Sequence, residues 1–536
     1  MVWDTERAID LLYARPDINK KAIIVLGAVA GGGDPAAVTA ALDQRIAAVV
    51  PFNFGESTPE VPRFIPTKNQ WPLDLADPGL MDWDTTRVIR RGIVDQFMQW
   101  FICASVAPRK FVYSYELGWH VEDLPAWARY RRVYSFYNAL DNLADAHGFG
   151  PFPGPGEAWN IGPAQRRSLY PTLERWFGIP SPFENDKSSP LENLAPRPDV
   201  DRQPVTDLSV LTPENSSRLY RRALHEIAAA EGKKGVAAAR AEFSGMTLEA
   251  RLKALQARWA KKLGNIEPTP HPRSTIEWSK AMPSAQVEAI SLEVEPGLVV
   301  PMLLLMPRPQ QTGRVPVVVA VSESGKELFL AKRAAEIEAL LKAGTVVCLP
   351  DVRATGETTP DRRRDPDGDE NTQANTVLMM GETMLGMRLR DLRTVLVYLR
   401  SRQNIDSGRF GLWGDSFDPA NPEHFLLNES PQWQIGPEIE SHAEPLGGLL
   451  AVLGGLYENS VRTIAVQGGL VSFSSMLESN FGYVPQDVVV PGILEAGDIA
   501  DVEAALAPRP LLLTGMVDGL DRLVPHQDVE RQLQPV

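Results

Sequence analysis

Ser416 lies in a motif that occurs twice in the chain and carries its hydroxyl group only once. The later copy reads Arg409-Phe-Gly-Leu-Trp-Gly-Asp-Ser416-Phe-Asp, and the earlier copy reads Ala22-Ile-Ile-Val-Leu-Gly-Ala-Val29-Ala-Gly. In each copy an aspartate, Asp391 or Asp4, opens an amphipathic helical pattern before an apolar run that ends in glycine. Helix, turn, buried strand and Gly-x-Ser together predict a nucleophile elbow, a strained turn that exposes a serine oxygen. We therefore predict that Ser416 is a nucleophile, whereas Val29 has no group that could act as one.

An acyl-transfer serine also needs hydrogen-bond donors for the oxyanion that develops on the substrate. The backbone N–H of Phe417, which follows the nucleophile, is the first predicted donor. The second is expected from the turn after the strand at 315–321, where the candidates are Ser324 and Gly325.

The acid of a catalytic triad is expected after the strand at 510–515. Asp518 keeps a Gly-x-x-Asp spacing there, and Asp521 keeps an Asp-x-x-x-Pro spacing. Either carboxylate could instead cap the loop that contains it. We favour Asp518 as the acid and keep Asp521 as the alternative.

The histidine base is the missing part of this pattern. His526 follows the acid strand and is predicted on the first turn of a helix, while His424 and His442 lie in the segment after the nucleophile. A lone histidine is more often a solvated side chain than a base. The interval from Pro108 to His147 in the first copy, applied from Pro508, ends beyond Val536. We therefore expect the second module to stop before its histidine.

Short apolar strands and helices alternate along the chain. This alternation predicts an α/β protein with mostly parallel sheets flanked by helices. We divide the chain into a first module at 1–180, a linker and helical segment at 181–269, and a second module at 270–536. A hairpin at 286–295 and 299–306 should add antiparallel strands to the second sheet. The first module begins at the helix before its Gly-x-Val, so we expect it to lack the N-terminal half of its sheet and to leave a strand edge unpaired.

Four motifs of the second module resemble the acetyl xylan esterase and prolyl-oligopeptidase-like branch of the α/β-hydrolases, and the first module resembles that branch and its glucuronoyl-esterase relatives. The motifs are Val319-Ala-Val-Ser-Glu-Ser-Gly-Lys, Asp351-Val-Arg-Ala-Thr-Gly-Glu-Thr, Trp413-Gly-Asp-Ser and Ala507-Pro-Arg-Pro-Leu-Leu-Leu, with Ala41-Leu-Asp-Gln-Arg-Ile-Ala-Ala-Val-Val-Pro in the first module. The resemblance implies serine ester hydrolysis, with acetyl or uronoyl esters of plant polysaccharide as substrates. The branch continues its elbow as Ser-x-Gly-Gly, whereas this chain has Ser416-Phe-Asp-Pro, so we expect a wider turn.

The same resemblance places His147 where the triad histidine of the first module would lie, with Glu116 as a candidate acid. Because Val29 replaces the serine, we interpret both as remnants of a degenerate site. A secreted or periplasmic location is what the resemblance implies if the N-terminus is missing. Location and oligomeric state otherwise stay open.

Composition excludes several other classes of function. The formal net charge of −14 argues against nucleic acid or an anionic membrane as the main partner. Neither CxxC nor HExxH occurs, so no metal and no cofactor is expected, and Cys103 and Cys348 are expected to be buried hydrophobes. No apolar run reaches the roughly 18 residues that a membrane span needs.

Three functions stay open at this point. The first is a serine carboxylesterase that takes a small-molecule or polysaccharide ester through Ser416. The second is a non-catalytic scaffold or carbohydrate-binding protein built from degenerate hydrolase modules. The third is a prolyl-oligopeptidase-like serine peptidase, disfavoured because no repeat of short propeller strands is present.

Overall fold

The structure is a computed structural model of the chain that forms two compact units. One unit comprises Met1–Glu214 and Leu378–Gly381, and the other comprises Asn215–Val377 and Glu382–Val536. The residues described are 1–55, 88–115, 121–148, 163–180, 209–212, 215, 222–309, 313–359, 370–424, 443–480 and 483–533.

The first unit contains a sheet of four parallel strands, hydrogen-bonded in chain order β1-β2-β3-β4. Residues alternate between its faces: Val49 packs with the helices at the front of the unit, and the neighbouring Val50 packs with the last helix. Its strands are β1 (Ile24–Ala28), β2 (Ala48–Phe52), β3 (Lys110–Tyr115) and β4 (Leu143–His147), and its helices are α1 (Val2–Ala14), α2 (Val29–Leu42), α3 (Gln99–Ala104), α4 (Pro125–Phe136) and α5 (Pro163–Phe177).

Strand β1 lies at the edge of this sheet. Leu26, in the middle of β1, is 43% exposed. Among the described strands only β2 pairs with β1, so β1 is an edge strand that carries an exposed leucine.

The second unit contains an eight-stranded sheet in the order β12-β11-β10-β8-β9-β7-β6-β5. Five neighbouring strands run parallel to one another: β12, β11, β10, β8 and β9. The remaining pairs, β9 with β7, β7 with β6, and β6 with β5, are antiparallel. The strands are β5 (Ser274–Ala281), β6 (Ala285–Glu295), β7 (Leu298–Pro307), β8 (Val315–Val321), β9 (Val346–Pro350), β10 (Ile405–Gly414), β11 (Val461–Gln467) and β12 (Leu511–Thr514).

Nine helices accompany these strands in the described part of the chain, and those that pack on the sheet cover both of its faces. Val317, Val319 and Val321 of β8 point into one large apolar cluster, whereas Ala320 points into a second cluster with Phe329. The helices are α6 (Leu224–Phe243), α7 (Leu248–Leu263), α8 (Gly325–Lys332), α9 (Ala334–Lys342), α10 (Glu370–Met379), α11 (Met384–Ser401), α12 (Leu446–Tyr457), α13 (Ile499–Ala505) and α14 (His526–Leu533). None of the described helices combines the length and the apolar character needed to cross a membrane.

Some element predictions need correction. The sequence pattern over 328–342 suggests one helix, but this segment belongs to two helices, α8 and α9, because Arg333 between them leaves helical geometry at φ −121° and ψ 23°. Asp391 does not open its helix: α11 begins at Met384, and the buried Asp391 carboxylate accepts a hydrogen bond from Arg353 Nε at 2.8 Å. Strands β4 and β5 were not predicted, and α2 begins at Val29, earlier than expected.

Close packing between the end of β10 and the start of α12 fixes the centre of the second unit. A Cβ atom added to Gly414 would lie 2.0 Å from the carbonyl oxygen of Gly447. A Cβ atom on Gly447 would lie 2.4 Å and 2.6 Å from the carbonyl oxygens of Asp415 and Val321. These obstacles are backbone atoms, which cannot rotate away, so both positions require glycine.

We predict that Gly414→Ala destabilises the second unit strongly, by about 3 kcal/mol or more, because α12 must move away from the sheet. Urea unfolding of the full chain measures the change. Gly245→Ala is the matched control, because a Cβ atom at Gly245 meets nothing within 4 Å. Equal midpoints for the two variants would contradict the packing argument.

Candidate active site

The carboxyl ends of β8 and β10 meet at the point where the order of the sheet reverses. From β8 the chain continues to β9 on one side, and later returns to β10 on the other side. Gly414 at the end of β10 is in register with Val321 at the end of β8, and Asp415 N donates to Val321 O at 3.1 Å. Ligands of open α/β sheets bind in the crevice at such a switch point. Ser416 and the turn that begins at Ser322 both enter it.

Ser416 is half-buried, and its backbone N–H is fixed by the side chain of Asp415. Its N–H donates to Asp415 Oδ1 at 3.0 Å, and Asp415 is itself fixed by Arg333 through Nε at 2.7 Å and Nη2 at 3.0 Å. Gly468, just after β11, leaves the room that Ser416 needs: a Cβ atom there would lie 2.6 Å from Ser416 Cβ. Ser416 Oγ makes no hydrogen bond to any residue that the structure describes.

The turn at Ser416 differs from the predicted elbow. No helix forms over 415–424, and Ser416 is not among the six described non-glycine residues with positive φ. The next described helix, α12, begins at Leu446. Gly447 and Gly448 of that helix lie against the ends of the strands: a Cβ atom on Gly448 would lie 2.8 Å from Val466 and 2.9 Å from Gly469. This glycine pair is close to the end of β10 in space but is separated from the serine along the chain.

Two of the three predicted oxyanion donors converge on one carboxylate. Phe417 N donates to Glu444 Oε2 at 2.9 Å, and Ser324 Oγ donates to Glu444 Oε1. The third, Gly325, does not join them, because its N–H points back to Ser322 O at 3.4 Å. The turn after β8 thus contacts Glu444 through a side-chain hydroxyl, where a backbone N–H was expected, and the role of Ser324 as an oxyanion donor stays a prediction.

A buried ion pair holds the turn that carries Ser324. Asp351, just after β9, accepts hydrogen bonds from Lys326 N at 2.7 Å and from Lys326 Nζ at 2.5 Å. Gly325 adopts φ +78°, and a Cβ atom there would lie 2.8 Å from Asp351 Oδ1. Motifs at 319–326 and 351–358 therefore form one support for the turn.

Phe417 is anchored by aromatic packing. Its ring lies 5.3 Å from the ring of Phe329 in a perpendicular arrangement, and the Arg333 guanidinium lies 5.5 Å from its centroid. Because the side chain is fixed on both sides, the N–H of Phe417 keeps its direction toward Glu444.

Asp518 is fixed by its own loop. Its Oδ1 accepts from Leu520 N at 2.9 Å and from Arg522 N at 3.0 Å, and its Oδ2 accepts from Arg522 Nε at 2.8 Å. These contacts are those of a loop-capping carboxylate, the alternative that the sequence left open. Whether Asp518 also serves as a triad acid stays a prediction.

Asp521 is a buried carboxyl group among other acids. Burial, together with the negative charges of Asp418, Asp518 and Glu444, raises its pKa to about 7. Its backbone has φ +59°, and its carbonyl oxygen accepts from Asn421 N at 2.7 Å. The loop after β12 is thereby tied to the segment that follows Ser416.

Histidines do not complete a triad in the described chain. His526 is the first residue of α14, as predicted, but its side chain is 79% exposed and lies 3.6 Å from Glu530 on the same helix. His424 is exposed and borders an open cleft of about 1450 Å³ together with Asp518. His442 lies outside the described residues. The role of His526 as a base stays a prediction, and its exposure argues against that role.

In the first unit, Val29 is the first residue of α2, directly after β1. A Cβ atom on Gly27 would lie 2.1 Å from Gly32 O, so the first unit has the same strand–helix glycine contact as the second. His147 ends β4 in register with Tyr115, and its Nδ1 lies 2.8 Å from Gly148 O. Glu116 lies outside the described residues.

Other chemistry finds little support among the described residues. Cys103 and Cys348 are free and fully buried, and burial raises the pKa of both thiols. No group of three or more His, Cys, Asp or Glu side chains in the described ranges could hold a metal ion.

Comparisons with known proteins give similar folds at low identity. No protein-family model matches the chain, and no curated protein matches it. A Bacteroides fragilis protein described as an acetyl xylan esterase is 17% identical, with a TM-score of 0.40, over 53% of this chain and 71% of its own. A methylesterase is 18% identical, with a TM-score of 0.38, over 57% of this chain and 60% of its own. A glucuronoyl esterase from Solibacter usitatus is 12% identical, with a TM-score of 0.33, over 53% of this chain and 78% of its own.

The second unit has the α/β-hydrolase fold. Its strand order, its antiparallel strands before a parallel run, and the serine after β10 are the features of that fold. The mixed α/β fold class predicted from the sequence, with parallel strands flanked by helices, is therefore confirmed. The chain covers less than two thirds of the methylesterase, so activity and substrate need their own tests.

The raised pKa of Asp521 gives a stability prediction with a defined sign. Its folded pKa of about 7 exceeds the value of 3.8 taken for a free aspartate, so its contribution is fully present below about pH 4 and is lost as pH rises through 7. We predict that Asp521→Asn is more stable than the parent chain at pH 8, by a few kcal/mol at most, and that the gain vanishes near pH 4. Asparagine tolerates positive φ, so the backbone is retained.

Thermal unfolding at a series of pH values measures this difference. Asp518→Asn is the control, because it weakens the ion pair with Arg522 and should not raise stability at pH 8. A pH-independent effect of Asp521→Asn would contradict the buried-carboxyl interpretation.

Proposed function

We propose that the second unit is an esterase-type hydrolase that acts through Ser416. The observation that carries the proposal is the convergence of Ser324 Oγ–H and Phe417 N–H on one carboxylate, beside Ser416, at the switch point of the sheet. A carboxylate has the planar geometry and negative oxygens of an ester-hydrolysis product. Donors that hold a carboxylate are suited to hold the oxyanion of an acyl-transfer intermediate.

In this proposal each residue has one task. Ser416 Oγ attacks the ester carbonyl, and the two donors stabilise the oxygen that becomes negative. Asp518 or Asp521, in the loop after β12, is the acid of the site. The described residues supply no histidine that one of these aspartates could orient, so turnover by this chain is expected to be weak.

Substrate class is the finer part of the proposal. The cleft beside the loop after β12 is wide, open and lined by polar side chains, among them Ser472, Ser474 and Arg522. Such a cleft favours a large polar alcohol over a small apolar one. We therefore assign an ester of a polysaccharide as the substrate class, with the acyl group left to experiment.

The second candidate is a non-catalytic carbohydrate-binding or scaffold protein. It is favoured by two observations, the exposed His526 and the occupation of both donors by Glu444. The first unit, in which Val29 stands in the serine position, fits this role as well. A peptidase has no specific observation in its favour.

We predict slow hydrolysis of p-nitrophenyl acetate, roughly 10³–10⁴-fold over water at saturation, which is the level left when a triad member is missing. Ser416→Ala should remove this activity, whereas Ser407→Ala, which changes an exposed serine within β10, should retain it. His526→Ala should also retain it, because the imidazole is in solvent.

Release of p-nitrophenol, corrected for the rate of heat-treated protein, measures all four chains. Activity that survives Ser416→Ala would favour the non-catalytic alternative. Robust activity that is lost in His526→Ala would identify His526 as the base.

A further inference from the structure

Glu444 is the only partner that the described chain offers to the two converging donors. Ser324 follows β8 and Phe417 follows β10, so the carboxylate joins the ends of the two strands that flank the switch point. Glu444 itself lies just before α12, the helix whose glycines pack against the end of β10. Its position is therefore fixed from three elements of the sheet and helix layers.

Charge alone would not bring a carboxylate to this place. Glu444 contributes, with Asp418 and Asp518, to the raised pKa of Asp521, so it lies among like charges. The nearby cations have other partners: Arg333 binds Asp415, and Lys326 binds Asp351. Glu444 makes no ion pair with a described residue. The two donors are therefore the hydrogen-bond contacts that the described chain gives this carboxylate, and this geometry is that of an anion site.

A comparison of the two strand–helix junctions shows how residue 444 comes to lie beside the turn after β10. In the first unit Gly27 packs against Gly32, and Val29 lies two residues after the first glycine and three before the second. In the second unit Gly414 packs against Gly447. Ser416 lies two residues after Gly414, and Glu444 lies three residues before Gly447. One position of the first unit thus corresponds to two residues of the second, one on the strand side and one on the helix side.

We propose that Glu444 is an internal ligand of the oxyanion site, and that its carboxylate competes there with ester carbonyl groups and with small free carboxylates. The proposal rests on the proposed function for its ester substrates, but not for its carboxylate ligands. Access to Ser416 is then controlled by one side chain. Removal of that side chain leaves two unpaired donors, which an added carboxylate can satisfy.

The test compares the full-length chain with Glu444→Ala. Acetate is the carboxylate probe, and its binding is measured as an increase in melting temperature with concentration. We expect acetate to bind Glu444→Ala at least about tenfold more tightly than it binds the parent chain, because two hydrogen bonds become available. Hydrolysis of p-nitrophenyl acetate should rise by a similar factor, should be inhibited by acetate, and should fall back in the Glu444→Ala/Ser416→Ala double variant.

Two further variants keep the test independent of folding. Glu444→Gln retains the shape of the side chain, but its amide nitrogen cannot accept a hydrogen bond from one of the two donors. Because the side chain still occupies the site, the gain in acetate binding and in hydrolysis should be smaller than in Glu444→Ala. Glu338→Ala, an exposed glutamate on α9 that pairs with Lys342, should match the parent chain in both measurements.

The outcomes separate this inference from the proposed function. Acetate binding by Glu444→Ala without ester turnover in any variant would retain the internal ligand and remove the serine esterase. Ester turnover that is equal in the parent chain, Glu444→Ala and Glu444→Gln, without acetate binding, would retain the esterase and overturn the internal ligand. Absence of both in folded variants would overturn the internal ligand as well.

Discussion

The contact between Gly414 and Gly447 is the constraint on which the second unit depends. It brings a helix N-terminus against the end of the central strand at a distance that excludes any side chain. The same contact fixes α12 beside β8 and β10, and so determines where both Ser416 and Glu444 can lie. Gly468, at the end of the next strand, extends this packing by making room for Ser416. Backbone packing, more than any side chain, therefore determines the position of the site.

The polar side chains around that packing are of two kinds: some hold the turns in place, and others lie in the crevice. Asp351 with Lys326, and Asp415 with Arg333, are buried ion pairs that hold the turns after β8 and β10. Removing one member of such a pair leaves an uncompensated buried charge, so these residues position the site more than they react. Ser324, Phe417 and Glu444 are different, because their hydrogen bonds lie in the crevice where a ligand would bind.

Much of the fold follows from sequence pattern. Strand β8 was predicted with its observed bounds, and the hairpin strands β6 and β7 were predicted within a residue at each end, because each is an apolar or alternating run bounded by turn residues. Strand β5 was missed because all of its residues are exposed, so its sequence shows no buried face. Strand β4 was missed because Leu143-Ala-Asp-Ala-His147 contains no β-branched residue.

The site was predicted only in part. Ser416, Phe417 and Ser324 could be named because each follows an apolar strand directly. Glu444 could not, because the segment that separates it from Ser416 hides their proximity in space. The available signal was Gly447-Gly448 at the start of an apolar helix. Spacing from Ser416 alone led to the expectation of a wider turn.

If Ser416 is the reactive group of a pre-formed oxyanion site, a covalent adduct should form on its hydroxyl group. Glu444→Ala treated with a fluorophosphonate, digested and analysed by mass spectrometry, should carry the phosphonyl group on the peptide that contains Ser416. We expect a single adduct on that peptide and none after Ser416→Ala. An adduct on another serine, or no adduct on a folded protein, would contradict it.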